Sequence, residues 1–244
     1  MSAAPFFAVS GLTRSFGGLR AVDDLAFEIA PGEIVGLLGP NGSGKTTVLN
    51  LISGALAPDR GSVQLQGVEL VGKPAFRIAH LGVARTFQLV RVFASMSARE
   101  NVAAGLAFGA RPRFGRAARV EAGVLLERVG LAAQADRAAD ELTYIDQKRL
   151  ELARALALAP KLLLLDEWLA GLNPVELAAG IELLRSLRGA TQSILLVEHV
   201  MDAIRALCDH CLVMNAGARI AVGTPGEVLT NPAVVTAYLG ADDV

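Results

Sequence analysis

At 244 residues, the chain is long enough for one large domain or two small ones, with a sizeable core. Its 23 Lys and Arg against 24 Asp and Glu leave a net charge of −1, which excludes a global basic field that recruits nucleic acid. Hydrophobic residues make up 52% of it, yet no uninterrupted apolar stretch approaches the ~20 residues of a membrane-spanning helix. "LALAPKLLLLDEWLAGL" is cut by Pro160, Lys161, Asp166 and Glu167, and the opening "MSAAPFFAVSG" lacks the positive n-region of a signal peptide. A cytosolic protein is expected, its apolar excess suited to a parallel sheet buried on both faces and to a protein-facing patch.

Along the chain, alternation at Leu25, Phe27 and Ile29 predicts a strand, Pro31-Gly32 a turn, and "IVGLL" a buried strand. A glycine-rich loop follows, then a helix from about Lys45 that stops at Gly54. "SVQLQG" alternates as another strand. From about Ser97 the pattern turns helical, with Ser97 and Glu100 spaced as a capping box and "VEAGVLLERVG" ending at a glycine. The next helix opens at "LTYIDQKR", where Thr143 can cap and Asp146 completes a near-miss of the capping box. Tyr144 and Ile145 then sit on a turn whose backbone N–H groups lack intrahelical partners. They either pack against the chain's own core or face something other than water.

After Pro160 the chain returns to βα units. "KLLLLDE" and "SILLVEH" are buried strands, Asn173-Pro174 starts a helix, and "LVMNAGARIAVG" is a hairpin about Asn215-Ala216-Gly217. Thr224-Pro225 and Asn231-Pro232 open two short terminal helices. The pattern is an α/β core interrupted by a helical block, roughly residues 97–159. Cys208 and Cys211 lack a second ligand pair at zinc spacing and are expected to be buried structural thiols. The basic run Arg111, Arg113, Arg116 and Arg119 is expected to be a solvated face.

Chemistry concentrates at three strand ends. "GPNGSGKTT", comprising Gly39, Pro40, Asn41, Gly42, Ser43, Gly44, Lys45, Thr46 and Thr47, fits G-x-x-x-x-G-K-[ST] between a buried strand and a helix. Glycines allow the backbone to turn successive N–H groups onto phosphate oxygens, and the helix N-terminus adds a favourable dipole. Lys45 can neutralise β/γ phosphates, and Thr46 can offer its hydroxyl to Mg²⁺. Asp166 and Glu167 end an apolar strand, where carboxylates are costly unless they hold a metal or move a proton. Asp166 is the candidate for the Mg²⁺ shell, and Glu167 for orienting and deprotonating an attacking water. His199 ends "ILLVEH" beside Glu198. A lone His is usually structural, but this position in a P-loop protein makes it a site candidate. Gln88 in "RTFQ" follows a short strand and says little alone.

Together these residues resemble the nucleotide-binding subunit of an ABC transporter over nearly the whole chain. The motifs fall in family order: an aromatic A-loop at Phe16, Walker A at residues 39–47, the Q-loop at Gln88 and the signature at residues 142–147. Walker B at residues 161–166 with Glu167, the D-loop "AGLN" at residues 170–173 and the His199 switch follow. The resemblance implies a P-loop NTPase (RecA-like) core with an antiparallel β subdomain and an inserted α-helical subdomain. One ATPase domain would span about 5–240, with its core at about 5–96 and 160–240 and its helical part at about 97–159.

It further implies ATP and Mg²⁺, with Phe16 stacking on adenine, Gln88 linking Mg²⁺ to the membrane-facing surface, and His199 contacting the γ-phosphate. Thr143, Ile145 and Asp146, at the signature helix tip, would face ATP bound on a second ATPase subunit. In place of the family's Leu-Ser-Gly-Gly, this chain has Thr143 for Ser and β-branched Ile145 for the second Gly, whose bulk is expected to slow the site that uses it. Trp168 stands where proline is common. "RTFQLVRVFASMSARENV", "LVEHVMDAI" and the tail "NPAVVTAYLG" are similar to the branched-chain amino-acid importer ATPase whose Q-loop reads Arg-Thr-Phe-Gln. Importers of amides, urea or aromatic acids and lipopolysaccharide exporters are the alternatives, with a soluble nucleic-acid machine or a non-hydrolysing ATP-binding module further off. Expected partners are transmembrane permeases docking around Gln88 to Val102, a second ATPase subunit, a solute-binding protein indirectly, and no nucleic acid. The place implied is cytoplasmic, on the inner face of the cell membrane.

Overall fold

Apolar residues at every second position put Phe7 and Val9 of β1 (Phe7–Phe16) and Leu25, Phe27 and Ile29 of β2 (Leu19–Ile29) on one buried face, as alternation requires. The structure, a computed structural model, describes residues 5–189 and 192–239; the predicted domain end at 240 and the first four residues lie outside the described residues. The chain continues through β3 (Ile34–Leu38), α1 (Lys45–Ile52), β4 (Arg60–Leu65), β5 (Val68–Glu69), α2 (Ala75–Leu81) and β6 (Val83–Arg85). A helical block follows: α3 (Ala98–Phe108), α4 (Gly115–Arg128) and α5 (Tyr144–Ala157). Then come β7 (Leu162–Asp166), α6 (Pro174–Leu187), β8 (Ser193–Val197), α7 (Met201–Leu207), β9 (His210–Asn215), β10 (Ala218–Gly223), α8 (Pro225–Thr230) and α9 (Pro232–Leu239).

Two sheets form. One is antiparallel, in the order β2-β1-β4-β5; the other runs β10-β9-β3-β8-β7-β6, parallel except for the β9–β10 hairpin. Every residue of β3, β7 and β8 is buried, because this sheet is covered on both faces. Its alternating residues serve two cores. Val35, Leu37, Leu162, Leu164, Leu195 and Val197 pack with α1 and the antiparallel sheet. Ile34, Leu38, Leu163, Leu165, Ile194 and Leu196 pack with the helical block and α6.

The local signals act as their chemistry dictates. Ser97 and Glu100 make both bonds of a capping box, and so do Asn173 with Glu176 and Thr224 with Glu227. Ala216 and Gly217 turn the β9–β10 hairpin with positive φ at both positions (46° and 82°), the requirement of a two-residue turn that matches strand twist. The parallel order brings the carboxyl ends of β3, β6, β7 and β8 to one rim, where open α/β sheets bind ligands.

Candidate active site

The loop between β3 and α1 threads between β2 and β9. Gly39 (φ 144°) and Gly44 (φ 105°) take backbone shapes unsuited to other residues, and a Cβ there would overlap the carbonyl oxygens of Met214 and Ala21. Around Gly42 (φ 76°) a Cβ would meet nothing within 4 Å, so this side of the loop is open. The Ser43 hydroxyl is buried without a hydrogen-bond partner among the described residues, an orphan that a phosphate oxygen would satisfy. Lys45 is buried, its Nζ donating to the carbonyls of Gly39 (2.7 Å) and Pro40 (2.9 Å). Burial lowers its pKa, and the nearby charges of Glu167 and Asp166 oppose that shift. The Tyr238 hydroxyl of α9 accepts the Gly39 N–H at 2.9 Å, so the C-terminal helix anchors the base of the loop.

A cleft of about 380 Å³ opens over the loop, bounded by Phe16, Lys45, Thr46, Thr47, Gln88 and Glu167. Phe16 is 44% exposed, and the Arg14 guanidinium lies 5.0 Å from its ring centroid, held by Asp59 at 2.8 Å. An aromatic face at one end, then open amides, an orphan hydroxyl and a cation suit a base followed by a polyphosphate.

Side chains from three strand ends meet at the far side. The Glu167 backbone is in the left-handed region (φ 50°) and its N–H donates to the Val197 carbonyl at 2.9 Å, turning its side chain off the strand end. Its carboxylate accepts from Gln88 Nε2 at 2.8 Å and lies 2.7 Å from His199 Nε2. Gln88, uninformative alone, is thus brought onto the same carboxylate as His199. Asp166 is 3% exposed, and its Oδ2 is paired with Arg85 Nη2 at 2.8 Å; Arg85 also donates to Asn50 at 2.6 Å. Oδ1 makes no hydrogen bond among the described residues. No group of three or more His, Cys, Asp or Glu side chains among the described residues could hold a metal alone. One carboxylate oxygen and the Thr46 hydroxyl fit Mg²⁺, which binds through one or two protein ligands plus substrate phosphates.

At the tip of α5, Thr143 caps by accepting the Asp146 N–H at 3.3 Å, while the Asp146 carboxylate turns to Arg149 at 3.4 Å and the box stays half made. Tyr144 is 53% exposed and Ile145 half-buried, so packing of this tip against the chain's own core does not describe Tyr144. Between Gln88 and Val102, Leu89 and Phe93 are exposed, whereas Val102 is fully buried in the core shared with the helical block. The docking segment expected from the sequence is therefore cut short at its C-terminal end.

The sequence reading missed a buried polar cluster behind Glu167. Lys148 of α5 is 2% exposed and donates to the carbonyls of Glu167, Trp168 and Ala170, while the Trp168 indole N–H donates to the Lys148 carbonyl. Glu198 is fully buried, accepting the Leu169 N–H at 2.6 Å with one oxygen, and the other has no partner among the described residues. Burial pushes its pKa up to about 7, opposed by that hydrogen bond and by Lys148. A carboxylic acid at the end of an all-apolar strand was a readable signal. Since the folded pKa lies above the ordinary 4.5, the folded state binds the proton more tightly, and stability falls as pH rises from about 4.5 to about 7. Glu198→Gln should abolish that decline, about 3 kcal/mol at most, measured as denaturant midpoints of both proteins across this window. Parallel curves would contradict the buried acid.

Cys208 and Cys211 are buried free thiols packed over Gly36. Arg111, Arg113, Arg116 and Arg119 are exposed, with Arg113 loosely paired to Glu121 at 3.5 Å, as a solvated face should be.

The family model described as "ABC transporter" matches residues 22–170, and that described as "Branched-chain amino acid ATP-binding cassette transporter" matches residues 218–244. The chain is 44% identical to the high-affinity branched-chain amino acid transport ATP-binding protein LivG of Escherichia coli, over 97% of this chain and 98% of that one. It is 43% identical to BraF of Pseudomonas aeruginosa, of the same description, over the same shares. Among solved structures, the ADP conformation of MJ1267, an ATP-binding cassette of an ABC transporter, superposes with a TM-score of 0.89 at 28% identity, covering 97% of this chain and 99% of that one.

Proposed function

The chain belongs to the ATP-hydrolysing cassettes of ABC transporters, and from that premise we propose that it energises an importer of branched-chain or closely related amino acids. The observation that carries the substrate class is the end-to-end match to LivG and BraF, joined by the branched-chain model over the C-terminal segment. Residues 5–240 act as one ATPase domain, the core at about 5–96 and 160–240 and the helical part at about 97–159. No helix among the described residues is long and apolar enough to cross a membrane. As in a transporter of this family, the membrane-spanning path would belong to partner permeases. The cassette sits peripherally on the cytoplasmic face, a solute-binding protein acts on the far side, and nucleic acid has no part.

Phe16 stacks on the base, amides of residues 41–47 receive the phosphates, and Lys45 gives up one loop carbonyl to meet them. Thr46 and Asp166 would hold Mg²⁺, which offsets phosphate charge. Glu167 takes the proton of the attacking water. Gln88 and His199 hold its carboxylate toward the cleft, and His199 would contact the γ-phosphate. In the ATP-bound dimer, Thr143, Ile145 and Asp146 face the partner's nucleotide. Exposed Tyr144 is covered there, and exposed Leu89 and Phe93 meet the permease.

Ile145 blunts that contact. Ile145→Gly should raise ATP turnover of the assembled complex several-fold, and an unchanged rate would remove the handicap from this signature. The substrate is tested by co-purifying the cassette with its permeases from native membranes, reconstituting them in vesicles, and adding solute-binding protein. Stimulation of ATP hydrolysis by leucine, isoleucine or valine is expected. Stimulation by amides, urea or aromatic acids instead, or co-purification with lipopolysaccharide-export permeases, would overturn it.

A further inference from the structure

Trp168 occupies the residue after Glu167, and its surroundings are built to hold it. It is 2% exposed, and Gly180 of α6 makes room: a Cβ there would lie 2.6 Å from Leu169 Cδ2 and 3.3 Å from Trp168 Cζ3. A glycine inside a helix is otherwise unfavourable. The indole N–H donates to the Lys148 carbonyl at 3.1 Å, and in return the Lys148 ammonium donates to the carbonyls of Trp168 (3.0 Å), Ala170 (2.7 Å) and Glu167 (3.3 Å). Three acceptors match the three donors of an ammonium. Buried charge-assisted bonds of this kind fix geometry, because releasing one leaves a charge unsatisfied in low dielectric.

We propose that Lys148 and Trp168 form a reciprocal clasp that makes the signature helix α5 and the turn 167–170 one mechanical unit, so that Lys148 is a positioning residue for hydrolysis. The tip of α5 faces one nucleotide of the dimer and Glu167 faces the other. A shift of the tip on binding the partner's ATP is therefore carried, four residues along the helix, to the carboxylate over this chain's own ATP. The inference rests on the reading of Glu167 as the base that accepts the water's proton.

Trp168 is the single tryptophan of the chain and supplies a readout independent of activity. In the complex with its permeases, Lys148→Met is expected to lower kcat at least tenfold while KM for ATP stays within twofold, since the phosphate loop is untouched. In the full-length cassette purified without permeases, where Trp168 is the single tryptophan, the emission of Lys148→Met should shift to the red as water enters the opened turn. Trp168→Phe, which keeps the ring and removes the N–H, should lower kcat at least threefold with the same KM, and remains informative if the Met variant does not fold. Lys148→Arg, which keeps charge and donors, should recover part of the rate lost in Lys148→Met. Unchanged kcat in the Met and Phe variants, or kcat and KM worsening together, would overturn the clasp. Glu167→Gln is measured alongside. If that variant keeps full turnover, the base assignment has failed, and the clasp is judged on emission alone, unaltered emission in Lys148→Met counting against it.

Discussion

Glu167→Gln is expected to lower steady-state ATP turnover of the assembled transporter by about 10²–10⁴-fold, the range that a positioned general base contributes. The substitution is nearly isosteric, so the turn at φ 50° and the neighbours Gln88 and His199 keep their places. What is lost is an acceptor for the water's proton. The nucleotide loop lies elsewhere in the cleft and is unaltered, so the variant should still bind ATP and accumulate as an ATP-loaded dimer. Quenched-flow turnover and size-exclusion with excess Mg-ATP measure the two halves. Turnover equal to that of the unmodified protein would remove Glu167 from the role, leaving Asp166 or His199 to be tested in its place.

Arg85→Met should cost about 3–5 kcal/mol of stability, because it strands the Asp166 carboxylate in a site where both partners are nearly inaccessible (7% and 3%). For a chain of this size that is a fall in Tm on the order of 10 °C. The pair does more than fill space: Arg85 ties β6, through Asp166 and Asn50, to β7 and α1, the two elements that flank the carboxylate proposed for Mg²⁺ and the loop proposed for the phosphates. Adding Asp166→Asn to Arg85→Met removes the unpaired charge and should restore a good part of the loss, an interaction visible in a double-mutant cycle. Calorimetric unfolding of the four proteins is the check. Additive losses would mean that the two side chains do not sense each other.

The loop from Gly39 to Thr47, the carboxylates of "LLLLDE" and the hairpin at Asn215–Gly217 were legible because their chemistry is written in consecutive residues. Capping was legible for the same reason at Ser97 and Thr143. Strand faces were legible too, since Leu25, Phe27 and Ile29 follow the period of a pleat. The β1 strand and α2 went unread, because Gly11 (φ 60°) and a bulge break the alternation of the first and the second is only seven residues long.

Contacts that tune the site were not legible. Arg85 meets Asp166 across 81 positions, and Tyr238 meets Gly39 across 199. Lys148 and Trp168 lie only 20 apart, yet their bond depends on α5 docking beside the end of β7, which no local pattern encodes. Trp168 had no account from the sequence, and acquires one only when Gly180 and Lys148 are seen around it. Glu198 is the exception, a missed residue whose burial followed from the same reasoning applied to Asp166.

The decisive measurement is the affinity of the purified protein for ATP by titration calorimetry, with and without magnesium, beside Lys45→Ala. Binding that requires magnesium and weakens at least about tenfold on loss of the ammonium is expected, as a charge-assisted bond to phosphate is worth roughly 1.5–3 kcal/mol. ATP affinity indifferent to both magnesium and Lys45 would contradict a polyphosphate seated on this loop.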